Sequence, residues 1–204
     1  MIKTYEGKLI DDNKTREELL NFVKIEKTTY KDAYKIIKIL NKAFNIGSEE
    51  ETLRQLLYSN ADLDNSVKLI DTRDNEIYGI LIFSNFNIDV GSPIKYYNYE
   101  LSIFLNKYSQ INGHSFVIDE RLRGTNIDKK MLMFNYEFLK QFDIIWCAVE
   151  KNLKSHSYWK HLGFEELLDI DKAKFYIKPI SKRIMLEVFI IKLFTENNEK
   201  DYNF

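Results

Sequence analysis

Backbone punctuation is scarce in this chain: its 204 residues include only two prolines and seven glycines. That scarcity excludes a collagen-like or Pro/Gly-rich disordered architecture, and it makes each surviving glycine worth reading closely. The single cysteine, Cys147, excludes an internal disulfide. It lies in the apolar run Ile144-Ile145-Trp146-Cys147-Ala148-Val149, which reads as a buried thiol in a reducing compartment, the cytoplasm. No His, Cys, Asp and Glu residues fall at metal-ligand spacing, so no metal is expected. Ile184 to Phe194 is broken by Glu187 and Lys192 and falls short of a membrane span. Met1 to Lys14 alternates polar and apolar residues without a signal- or transit-peptide pattern. Neither sign of charge is in excess: 30 Lys and Arg stand against 31 Asp and Glu. Such a balance gives no support for a nucleic-acid or anionic-membrane footprint.

What the chain does have is apolar material, 45% hydrophobic residues with 14% aromatic, enough for a substantial core. With no repeat or linker in view, a single domain over residues 1–204 is expected, carrying an N-terminal extension to about residue 20 and an amphipathic segment from about residue 181. A strand signal opens at Asn21 and runs to Lys27. Thr28 and Thr29 offer caps for a helix over Tyr30 to Phe44, which Gly47 ends. Ser48 with Glu51 reads as a capping box for a second helix. Ser66 to Asp71 and Glu76 to Phe86 then read as strands joined by the hairpin residues Thr72-Arg73-Asp74-Asn75. Between Asp89 and Gln110 the pattern is ambiguous, and Tyr96 to Leu105 fits either strand or helix.

Beyond that point the pattern sharpens. Gly113 to Asp119 reads as a strand, and Ile127, Met131, Phe134, Phe138 and Phe142 form the apolar stripe of a helix starting after Gly124-Thr125-Asn126. Ile144 to Val149 is a strand without alternation, as expected when both faces are buried. A short helix around Lys154 to His161 stops at Gly163. Two strand-like pieces follow, Phe164 to Leu168 and Lys174 to Ile180. Strand, turn, helix, strand is a crossover that makes two strands parallel neighbours, and after a meander it implies a mixed α/β sheet. Ligands of such folds bind at the carboxyl ends of the parallel strands.

Two segments carry a resemblance. Phe116-Val117-Ile118-Asp119-Glu120-Arg121-Leu122-Arg123-Gly124-Thr125-Asn126-Ile127-Asp128 resembles the central signature of the GNAT superfamily of N-acetyltransferases, a strand followed by Gln/Arg-x-x-Gly-x-Gly/Ala and a helix. Arg123 takes the Gln/Arg position, Asn126 the first conserved Gly position and Asp128 the Gly/Ala position. Downstream, Asn152 to Phe164 resembles the family's Asn-x-x-Ala-x-x-φ-Tyr-x-x-x-Gly-Phe, with Ser155 at the Ala position and Trp159 at the Tyr position. The resemblance implies a mixed, mostly antiparallel sheet with splayed parallel central strands flanked by helices. It also implies acetyl coenzyme A as co-substrate and an amine as acceptor.

The turn has a physical logic of its own, because amide N–H groups converging at a helix N-terminus, aided by its dipole, attract a phosphate. The resemblance identifies that anion as the coenzyme A pyrophosphate, held by Arg123, Gly124, Thr125, Asn126, Ile127 and Asp128. It lays the pantetheine along Phe116, Val117 and Ile118, with Asn152 against the cofactor arm. Asn suits a left-handed turn, whereas the Asp128 carboxylate satisfies the same dipole and repels a pyrophosphate. Trp159 can donate a hydrogen bond but cannot act as the family's acid. Tyr158 is therefore a candidate acid and His114 a candidate base, with Glu100 and Glu150 as further bases. A binding module without turnover is the alternative reading. The Ile184 to Phe194 face offers a homodimer contact.

Overall fold

The computed structural model describes residues 7–85, 99–151, 156–170, 173–188 and 190, apart from the side chains of Glu100 and Glu150. The chain packs as two compact units. One comprises Met1–Asn85 with Gly113–Phe138, and the other comprises Phe86–Asn112 with Leu139–Phe204.

The first unit opens with α1 (Arg16–Phe22), then β1 (Val23–Lys27). A strand was expected from Asn21, but a reciprocal capping box between Thr15 and Glu18 nucleates the helix and carries it through Phe22. Thr29 caps a 3₁₀ turn over Tyr30–Asp32, so the α-helix expected from Tyr30 starts later, as α2 (Ala33–Phe44). It ends at Asn45, which adopts φ +48°, before the expected stop at Gly47. α3 (Glu49–Tyr58) starts as expected, with the Ser48 hydroxyl accepting from the Glu51 amide.

β2 (Ala61–Asp71) and β3 (Ile77–Ser84) form the expected antiparallel hairpin. β2 begins earlier than expected because a bulge lies between Asp62 and Val67, where the Asp62 carboxylate accepts from the Asn65 amide and side chain. All eight residues of β3 are buried. Isoleucines of α2 pack with Leu56 on Ile77, Ile80 and Ile82 to form this unit's core, joined by Leu9 and Val117.

β4 (Gln110–Ile118) runs from the second unit into the first and leads through a 3₁₀ turn, Glu120–Leu122, to α5 (Ile127–Phe134). The expected helix through Phe142 is interrupted. Asn135 is buried and its side chain donates to the Asn65 carbonyl, after which a short α6 (Tyr136–Leu139) resumes.

In the second unit, α4 (Tyr99–Leu105) decides the described part of the ambiguous segment in favour of helix, and residues 89–98 lie outside the described residues. β5 (Ile144–Glu150) is buried from Ile144 to Val149, as expected of a strand covered on both faces. It pairs parallel with β4 through Gln110–Asn112 against Ile144–Trp146. α7 (His156–His161) ends at Gly163, which adopts φ +82° as a left-handed cap, and β6 (Glu165–Ile170) and β7 (Ala173–Pro179) follow. β7 lies antiparallel between β5 and β6. The last described helix, α8 (182–188), turns Ile184 and Val188 into this unit's core, against Leu101, Trp146 and Phe175.

The strand order is β1-β2-β3-β4-β5-β7-β6, a mixed and mostly antiparallel sheet with one parallel pair. Among the described residues, no helix is long and apolar enough to cross a membrane.

Candidate functional site

At the end of β4 the chain must leave the sheet, turn, and enter α5. Two residues of this turn adopt left-handed backbone, Gly124 at φ +70° and Asn126 at φ +62°. A Cβ at Gly124 would meet no neighbouring atom, so it is the backbone angle that favours glycine there. Asn126 is the N-cap residue of α5, and its carbonyl accepts from the Lys130 amide at 3.0 Å. Among the described residues, the N–H groups of Asn126, Ile127 and Asp128 have no protein acceptor. Ile127 is buried and anchors the first turn, so these amides open outward from a fixed helix end.

The next amide is taken. Asp128 Oδ1 accepts from the Lys129 N–H at 2.8 Å, so the carboxylate that the sequence sets against an anion already occupies one donor of the nest. Arg123 turns back along the strand, its Nε donating to the Ile118 carbonyl at 3.3 Å. The Thr125 hydroxyl donates to the Leu122 carbonyl at 2.6 Å. Val117 and Ile118 are buried, whereas Phe116 and His114, two residues apart, share the less buried face of β4. His114 Nδ1 lies 2.8 Å from the Ser115 hydroxyl, and burial pushes its pKa down to about 4. Its imidazole is therefore neutral at pH 7 and a weak base.

The turn is framed by a cluster that composition and spacing do not reveal. Asp119, fully buried, accepts from the Arg121 amide at 3.1 Å, and Arg121 Nε and Nη2 complete a fork on the same carboxylate at 2.8 and 2.9 Å. Asp71, fully buried at the end of β2, holds Arg73 in the same manner: amide at 2.9 Å, Nε at 3.0 Å and Nη2 at 2.6 Å. Two Asp-x-Arg clamps thus close two strands of one unit. The N-terminal segment joins them. Asp12 Oδ1 accepts from Arg121 Nη1 at 2.5 Å, and Lys14 Nζ donates to Asp71 at 2.9 Å and to Asp74 at 2.5 Å. The Tyr78 hydroxyl donates to Asp12, and burial with that bond pushes Tyr78 up to about 12. The hydrogen bonds from Arg73 hold Asp71 well below the usual carboxylate range. Burial raises Asp119, but its bonds from Arg121 and the Leu9 amide outweigh that and lower it. The only sequence signal is the repeated Asp-x-Arg, and nothing local pairs it with Asp12 or Lys14.

The second unit carries the other expected residues. Trp159 is 3% exposed and packs edge-on against Phe164 and Tyr158, at ring separations of 5.1 and 5.5 Å. Tyr158 is half-buried, with its hydroxyl oxygen shielded from solvent. On the same helix, the His156 ring reaches the Tyr176 hydroxyl through Nδ1 at 2.9 Å and the Lys151 carbonyl through Nε2 at 3.2 Å. A carbonyl only accepts, so Nε2 carries the proton. Cys147 is buried, and burial pushes its thiol up. Asn152 and Ser155 lie outside the described residues, as do the side chains of Glu100 and Glu150.

Among solved structures, the chain matches an acetyltransferase of the GNAT family from Staphylococcus aureus Mu50 with a TM-score of 0.50, 15% identity, and coverage of 78% of this chain and 99% of that one. This is the GNAT fold. An arylalkylamine N-acetyltransferase 2 from Aedes aegypti matches the same GNAT fold at a TM-score of 0.53 and 17% identity, covering 78% of this chain and 99% of that one. The PaiA N-acetyltransferase from Thermoplasma acidophilum, solved with coenzyme A, matches at 0.52 and 11% identity, covering 77% and 98%. No family model matches the sequence, and no curated protein matches it. The likeness is one of GNAT fold at low identity.

Proposed function

We propose that the protein is an N-acetyltransferase that moves an acetyl group from acetyl coenzyme A to a primary amine by direct attack, without a covalent enzyme intermediate. The observation that carries this reading is the left-handed turn after β4, which opens the Asn126, Ile127 and Asp128 amides at the start of α5 within a GNAT fold. Such a nest fits a pyrophosphate, and PaiA, of the same fold, was solved with coenzyme A.

In this reading Arg123, Gly124, Thr125, Asn126, Ile127 and Asp128 hold the pyrophosphate. The Phe116–Ile118 backbone lines the pantetheine, and Asn152 meets the cofactor arm. The bound thioester supplies an activated acyl carbon, on which the amine forms a C–N bond as the C–S bond breaks. The protein contributes position and a strand N–H that polarises the carbonyl. The proton lost by the amine passes to water, with His114 the weaker alternative because burial disfavours its charged form, and Tyr158 donates one to the departing thiolate. The cytoplasm is the proposed compartment, in keeping with the single buried thiol of Cys147.

Two observations favour a second reading, an acyl coenzyme A binding module without turnover. Trp159 is buried in the core at the position where the resemblance expects an acid, and Asp128 occupies the Lys129 amide. Titration of the protein with acetyl coenzyme A by calorimetry tests the shared premise, and heat of binding at millimolar ligand is expected. Release of coenzyme A thiol with a panel of amines separates the readings: turnover removes the binding module, and binding without thiol release removes the enzyme.

A further inference from the structure

We propose that the N-terminal strap, Gly7 to Arg16, is a working part of the donor site, and that Arg121 is the positioning residue through which it holds the pyrophosphate turn. This rests on the acetyl coenzyme A reading of that turn. Four of the five positions from Asp119 to Arg123 are tied to the strap, each through a different group. The Asp119 carboxylate accepts from the Leu9 amide at 2.8 Å, and the Glu120 amide donates to the Gly7 carbonyl at 3.2 Å. Arg121 reaches Asp12, the Lys14 carbonyl at 2.8 Å and the Ile10 carbonyl at 3.2 Å while keeping its fork on Asp119. Arg16 Nη2 donates to the Arg123 carbonyl at 3.3 Å.

The strap is itself anchored. Leu9 is 4% exposed in the core and its carbonyl accepts from Lys42 at 3.0 Å, while Lys14 locks onto Asp71 and Asp74. From Asp119 to Asn126 the turn buries a single large apolar side chain, Leu122. Its conformation therefore depends on polar ties, and the ties lead to the strap. A nest of amides binds an anion tightly only when the amides are already aimed, because ordering them on binding subtracts from affinity. Arg121 touches no open amide. It acts by fixing Asp119 and the backbone that delivers Gly124 and Asn126.

The test uses the full chain and two variants. Asp12→Asn removes one charge from the strap and leaves the Asp119–Arg121 fork in place, which guards against loss of folding. Arg121→Gln removes both. Acetyl coenzyme A affinity is measured by calorimetry well below each variant's melting temperature, and exchange of the hydrogen-bonded turn amides, residues 119–123 and Lys130, is measured without ligand. Each variant is expected to bind at least about tenfold more weakly, the scale of one lost charge-assisted hydrogen bond. Exchange in the turn is expected to accelerate while α2 stays unchanged. A lower melting temperature with affinity and turn exchange both unchanged would mean a purely structural strap and would overturn the proposal. Accelerated turn exchange in a protein whose wild type binds no acetyl coenzyme A would leave the strap's hold intact and remove the donor reading instead.

Discussion

Asp128 accepts the amide hydrogen of Lys129 through Oδ1 at 2.8 Å, so the helix that begins the candidate pyrophosphate site carries its own anion. That carboxylate gains from the helix dipole, and it opposes a second negative group at the same place. Asp128→Ala is expected to raise acetyl coenzyme A affinity by about tenfold, by freeing one donor and removing one repulsion. It should also lower stability by about 0.5–1 kcal/mol through loss of the dipole interaction. Calorimetric titration and thermal melts check the two effects, and an affinity that falls would show the carboxylate to be a needed part of the turn.

Asn126 is left-handed at φ +62° and is the N-cap of α5. Asn126→Gly keeps that backbone without strain, whereas Asn126→Ala keeps a Cβ but loses asparagine's tolerance of left-handed backbone, so the alanine variant lies about 1–2 kcal/mol below the glycine variant. Chemical denaturation is expected to separate the two variants by that amount. Glycine should match or exceed wild-type affinity for acetyl coenzyme A, and alanine should weaken it.

The clamp cluster makes stability depend on pH. Asp71, Asp119 and Asp12 all titrate below their ordinary value in the folded protein. Their contribution is therefore present above about pH 4, the unfolded value, and is lost as pH falls through the folded values. Lys14 has the opposite sign: its folded pKa lies above the ordinary 10.5, so its contribution is complete below that pH and is lost in stronger alkali. Urea midpoints measured from pH 7 down to pH 2 should fall steeply below pH 4. Asp119→Asn should flatten part of that fall while lowering stability at pH 7 by about 3–5 kcal/mol, the usual result of breaking a buried pair.

Tyr158 is the phenol of α7, beside Trp159, which is committed to the core. If turnover is found, Tyr158→Phe is expected to lower kcat by about 10²-fold and leave the KM for acetyl coenzyme A unchanged. Unchanged kcat assigns the proton to water or substrate. Trp159→Ala, in contrast, is expected to cost about 3–5 kcal/mol of stability as a core cavity.

The sequence by itself determined what short-range periodicity and turn chemistry can fix. The unbroken apolar run Ile144 to Val149 required a doubly buried strand, Ser48 an N-cap, Gly163 a left-handed stop, and Arg123 to Asp128 a turn between strand and helix. In each case the cause lies within a few residues of its effect, so the pattern is legible without the fold. Tertiary structure decided what depends on distant partners. α5 stops at Asn135 because that side chain finds the Asn65 carbonyl, 70 residues away. The strap meets the turn across 107 to 111 residues of sequence, through Arg121 and the Lys14, Asp12 and Ile10 groups it reaches. Charges of both signs are plentiful in this chain, so composition cannot say which of them pair. Only the fold brings Asp12 and Lys14 to the two Asp-x-Arg clamps, where burial strengthens those pairs and leaves their other potential partners in water.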